Sequence, residues 1–68
     1  MFLEFHNRQG YVIKLNIGAV IAFLQQEEET VVICTGDVRI MIKESVEEVT
    51  KIIDRMIFSM NAQAGIRR

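Results

Sequence analysis

Lys43-Glu44-Ser45-Val46-Glu47-Glu48-Val49 divides the chain into two regimes of hydrophobic spacing. Before it, apolar residues recur with the two-residue period of strands. After it, Val46, Val49, Ile52, Ile53, Met56, Ile57 and Met60 recur every three or four residues, as on one face of a helix. Ser45, with Glu48 three residues on, has the form of a capping box: each side chain satisfies a backbone N–H that a helix start leaves without a partner. The spacing therefore predicts strands within residues 1–43 and a helix from Ser45 to about Ala62. Glu47 stands four residues before Lys51, which adds a supportive ion pair on the outer face. Asn61 to Gly65 should fray or cap the helix, leaving a basic tail over residues 63–68 that ends in Arg67-Arg68.

Working back from that junction, Thr30 to Thr35 and Val38 to Lys43 flank Gly36-Asp37, a pair suited to the positive backbone angles of a tight hairpin turn. A two-residue turn pairs Thr35 with Val38, Ile33 with Ile40 and Val31 with Ile42. It leaves Val32 opposite Met41 and Cys34 opposite Arg39 on a mixed outer face. Further upstream, Met1 to His6 and Tyr11 to Leu15 read as another hairpin around Asn7-Arg8-Gln9-Gly10. An odd loop with Gly10 in the left-handed position pairs Phe5 with Tyr11 and Leu3 with Ile13, so that all four share one face. Ile17 to Leu24 is apolar on both strand faces and reads as a buried central strand, with a short helix as the competing assignment. Gln25 to Glu29 is polar and acidic, the composition of a solvated hairpin tip.

At 68 residues the chain predicts one domain, near the lower limit at which a hydrophobic core alone sustains a fold. Half of it is hydrophobic, a large share for so much surface relative to volume, and this favours a homo-oligomer. Formal net charge is −1, so no bulk attraction to nucleic acid or anionic membrane is expected. Cys34 is the sole cysteine, which rules out an intramolecular disulfide and suits a reducing cytoplasm. The longest apolar run, Ile17 to Leu24, falls far short of the about 20 residues that span a bilayer, and no basic segment leads into an apolar one as in a signal peptide. No membrane association is expected.

Chemistry-bearing patterns are sparse. His6, the one histidine, has none of the Cys/His spacings of a zinc site, and Cys34 has no base beside it in sequence to generate a thiolate. Gly10, Gly18, Gly36 and Gly65 are isolated and form no phosphate-binding loop. Glu27, Glu28 and Glu29 lie in a polar segment that gives no reason for a raised pKa. No catalytic residue, cofactor site or metal site is assigned. Two binding readings remain. One is self-association through a sheet face bearing Val12, Val32 and Met41, whose basic neighbours cover apolar surface with their stems. The other is nucleic-acid binding through Lys14, Arg39 and Lys43 on a sheet face together with Arg67 and Arg68.

From Gly10 to Met56 the order of features resembles the short flagellar-operon proteins of the FlbD type, small bacterial proteins of unknown biochemical role. The matching features are Leu15-Asn16, the aliphatic pair Val20-Ile21, an acidic interval, Thr30-Val31-Val32-Ile33, a glycine turn at Gly36, then Ile42 to Val49 and Ile52-Ile53. The chain has Asn7-Arg8-Gln9-Gly10 where that family usually has an asparagine-glycine turn. The resemblance implies the same fold and a flagellar-accessory setting, and it carries no catalytic residues over. The expected architecture is α+β: an antiparallel meander of four to five strands, with one C-terminal helix on one sheet face. The expected function is a non-enzymatic interaction or assembly module that forms a homo-oligomer and binds a protein partner through a sheet face or an edge strand. A small nucleic-acid-binding regulator is the alternative.

Overall fold

A computed structural model describes residues 1–66, with side chains as far as Met60. Five antiparallel strands, β1 (Phe2–His6), β2 (Val12–Asn16), β3 (Val20–Gln26), β4 (Glu29–Cys34) and β5 (Val38–Ile42), precede one helix, α1 (Val46–Ile66). The fold is α+β, as the spacing predicts. The strands fall into two sheets, β1 with β2, and a β3-β4-β5 meander with β4 at its centre. Phe5 and Leu15 from the first sheet, Val32, Cys34 and Ile42 from the second, and Val49 from α1 meet in one core. Leu3, Ile13, Val20, Phe23, Ile40, Ile52 and Ile53 pack around them. The core thus lies between the inner faces of the two sheets and the first turns of α1.

The break between sheets is local in origin. Asn16 Oδ1 accepts the Gly18 N–H at 3.0 Å and turns Ile17–Ala19 into a single 3₁₀ turn, so β3 begins only at Val20. The expectation of a buried central strand over Ile17 to Leu24 is corrected on both counts. β3 is an edge strand, and Ile21 is 66% exposed. Its two-sided apolarity reflects one side facing the core and the other forming an apolar outer surface. Between Val20 and Ala22 the register slips by one residue, leaving Ile21 as a bulge.

In the first hairpin Phe5 pairs with Ile13 and Leu3 with Leu15, two residues further along than expected. Parity is preserved, so those four share the inner face, while Tyr11 falls in the turn and is exposed. Asn7 closes the longer loop. Its N–H donates to the Tyr11 carbonyl, its side-chain oxygen takes the Tyr11 N–H, and its carbonyl takes the Gly10 N–H, all at 2.9 Å. Gly10 has φ of +89° there, a conformation that a side chain disfavours.

In the β4–β5 hairpin the slip is one residue, and its consequence is larger. Thr35, Gly36 and Asp37 together make the turn, the latter two with φ of +77° and +60°. Val32 therefore pairs with Ile40 and Val31 with Met41, instead of Val31 with Ile42. A one-residue shift exchanges the two faces of a strand. Val32, expected outside, is fully buried in the core.

The helix begins as the sequence predicts. The Glu48 N–H donates to Ser45 Oγ at 3.1 Å, and Glu48 Oε1 lies 3.4 Å from the Ser45 nitrogen, a reciprocal capping box with Val46 as the first helical residue. Lys51 and Glu47 pair at 3.5 Å on the exposed side. α1 continues to Ile66 rather than ending near Ala62. Gly65 opposes a helix by only about 1 kcal/mol, too little by itself to stop one. Residues 63–66 are therefore helical instead of a tail, and Arg67 and Arg68 lie outside the described residues. At 21 residues α1 is about 32 Å long, more than the sheets can cover, so its far part projects and the molecule measures 43 × 24 × 19 Å. Ile57, Phe58 and Met60 are exposed on that projection.

Candidate interaction surface

Where strand gives way to helix, Glu44 ties the first sheet to the second. Its carboxylate accepts the His6 backbone N–H at 3.0 Å and lies 2.7 Å from His6 Nδ1, while its carbonyl takes the Thr30 hydroxyl at 2.7 Å. The Lys43 N–H donates to the His6 carbonyl at 2.9 Å, and the Val46 N–H donates to Gln25 Oε1 at 2.9 Å. The ends of β1, β3, β4 and β5 thus converge on the capped start of α1. Burial alone would push the Glu44 pKa up. The hydrogen bonds from the His6 side chain and backbone outweigh it and hold the carboxyl below its ordinary range. That keeps Glu44 an acceptor and makes it a poor general acid. His6 Nε2 is 4.0 Å from Glu4 Oε2, and the Cys34 thiol is buried in the core cluster. Among the described residues no group of three or more His, Cys, Asp or Glu side chains converges as a metal site. Nor is any helix long and apolar enough to cross a membrane among them.

What the fold exposes instead is apolar surface. On β4, Val31 and Ile33 alternate with the core residues and face outward. Leu24 of β3 and Met41 of β5 lie on either side of Val31 in register, forming an apolar row across all three strands. Leu24 and Met41 are 49% and 41% exposed, and Val31 between them is 5% exposed. Alongside runs a second row, Ala22, Ile33 and Arg39. The first sheet has its own outer face, with Phe2 and Val12 exposed and Lys14 opposite Glu4.

The residues singled out for self-association are not brought together. Val12 lies on the outer face of the first sheet, Met41 on the outer face of the second, and Val32 in the core between them. The division into two sheets separates Val12, and the one-residue slip at the Gly36 turn buries Val32, so that Val31 takes the place beside Met41 that Val32 was expected to fill. Reading Ile17 to Leu24 as a central strand conceals the exposure of Leu24. The cationic residues are likewise divided. Lys14 is on the first sheet, Arg39 on the second, and Lys43 in the bend after β5.

Comparison with known proteins yields no matching family model, no matching curated protein and no matching solved structure.

Proposed function

We propose that this chain is a small non-enzymatic assembly module that self-associates and binds a protein partner through the outer side of its three-stranded sheet. The observation that carries this reading is the row Leu24, Val31 and Met41, which crosses all three strands with half-exposed Leu24 and Met41 on either side of buried Val31, on a domain whose core is only a handful of side chains. Covering such a surface would add apolar burial to a chain of 68 residues, near the lower limit at which a core alone sustains a fold. The mixed charge of the exposed faces, with Lys14 set against Glu4 and separated from Arg39, favours a protein surface over a polyphosphate track. The buried single thiol of Cys34 suits a reducing cytoplasm. The resemblance to FlbD-type proteins supports a flagellar-accessory setting.

Sedimentation velocity over a concentration series tests the reading. Association is expected at tens of micromolar, in the range of ordinary weak homomeric contacts. A species that remains monomeric throughout that series would remove the basis for a self-associating module.

A further inference from the structure

Every strand but one carries a charged side chain. Glu4 is the middle residue of β1 and Lys14 the middle residue of β2, Arg39 lies within β5, and Glu29 opens β4. Charges on edge strands discourage further pairing, because two copies brought edge to edge would face like charge with like. β3, Val20 to Gln26, has none. It is an edge strand with five of its seven residues exposed, and it hydrogen-bonds as a strand only to β4. In an antiparallel ladder alternate residues turn their N–H and C=O away from the neighbour. The start of α1 touches β3, with the Val46 N–H on Gln25 Oε1. No strand lies against the free side of β3 among the described residues, so that side presents a row of backbone donors and acceptors. The bulge at Ile21 bends the strand's start and confines the regular edge to Ala22–Gln26.

We infer that a second copy of this chain fills that edge: two β3 strands pair antiparallel about a two-fold axis near Phe23 and Leu24, joining two three-stranded sheets into one of six. The inference rests on the self-association proposed above but sets the contact between copies at the β3 edge, which leaves the apolar outer face open to a further partner. The neutrality of β3 lets a second copy approach without like-charge repulsion along the strand, and charge sets its direction. The strand is neutral but ends in the acidic tip Glu27-Glu28, so an acidic segment is disfavoured, while an antiparallel copy places the two tips at opposite ends, on the order of 20 Å apart. A parallel copy would set them side by side. Pairing about that axis also continues the apolar outer row, bringing Leu24 of one copy directly across from, or diagonal to, Leu24 of the other.

Leu24 sits on the solvent side and is half exposed, so its charge can be changed with little effect on the core. Leu24→Lys and Leu24→Glu should each remain folded by circular dichroism and each associate about tenfold or more weakly than the parent chain, because like charges then meet beside the axis. An equimolar mixture of the two should recover the association in sedimentation, a result that misfolding of either variant cannot produce. Hydrogen exchange on the parent chain should show protection at alternate β3 amides, rising with protein concentration and absent in Leu24→Lys. If the parent chain associates and both variants associate equally well, or the mixture fails to recover, or β3 gains no protection, edge pairing is wrong while self-association through another surface stands. A parent chain that never associates overturns both.

Discussion

Replacing Glu44 by glutamine removes the charge from the junction while keeping its shape. Glu44 is nine-tenths buried, and its carboxylate takes two contacts from His6, one from the backbone N–H at 3.0 Å and one from the ring at 2.7 Å. Hydrogen bonds to charged groups contribute about 1.5–3 kcal/mol each. An amide retains one acceptor oxygen and turns its NH₂ toward the other contact, so Glu44→Gln should cost about 2 kcal/mol at neutral pH. For a domain of this size each kcal/mol moves the melting temperature by about 4–8 °C, so a drop of roughly 8–16 °C is expected. The pH dependence provides a second, independent reading. In the folded chain the Glu44 pKa lies below its ordinary value, so its contribution is fully present above the ordinary carboxylate range and is lost as pH falls through the folded-state value. Thermal unfolding of the parent and the variant, followed by circular dichroism from neutral pH into the acid range, isolates this group from the other carboxylates by difference. The gap between the two curves should be widest at neutral pH and narrow on acidification. A variant that melts with the parent at neutral pH, or a gap that stays constant into acid, would refute the account of Glu44 as a charged clasp.

Two further substitutions probe the fold. Ser45→Ala removes the hydroxyl that accepts the Glu48 N–H and should destabilise the chain by about 1 kcal/mol in urea unfolding; no measurable loss would reject the cap. Val32→Ala should cost about 2 kcal/mol and Val12→Ala less than about 0.5, because the first side chain is buried and the second half exposed; equal costs would restore the register in which Val32 faces outward.

The signals legible in the sequence were those written within a few residues. The Ser45–Glu48 cap and the Glu47–Lys51 pair depend only on helical spacing, and both are present. Gly10 and Gly36 mark turns because positive φ is a local demand. The β4–β5 register was not legible, because Val31 to Cys34 is apolar at every position and alternation cannot choose between its faces. Only the turn length decides between them, and Thr35 gives no local sign that it leaves the strand. The Glu44–His6 clasp escaped for a different reason. The two residues are 38 apart, and neither sits in a motif. A carboxylate immediately before a helix cap, at the end of an apolar strand, has few reasons to be buried unless it serves as an acceptor. The apolar outer row is half legible: alternation in β5 puts Met41 on an outer face, while the two-sided apolarity of Ile17 to Leu24 suits a central strand and so conceals the exposure of Leu24.

The same clasp bears on the order in which the chain folds. Each of the three hairpins joins neighbouring strands across a short turn, so each can close with little loss of chain entropy. Joining His6 to Glu44 encloses nearly all of the strand region in one loop, and it gains little until Thr30 and Gln25 are already in place to receive the junction. Closure should therefore come late, with the docking of Val49, and should set the folding rate through its long sequence separation. Residues on either side of the clasp should then enter the native state together, so that hydrogen exchange reports one common opening free energy for the first hairpin and the start of the helix, although they lie far apart in the sequence.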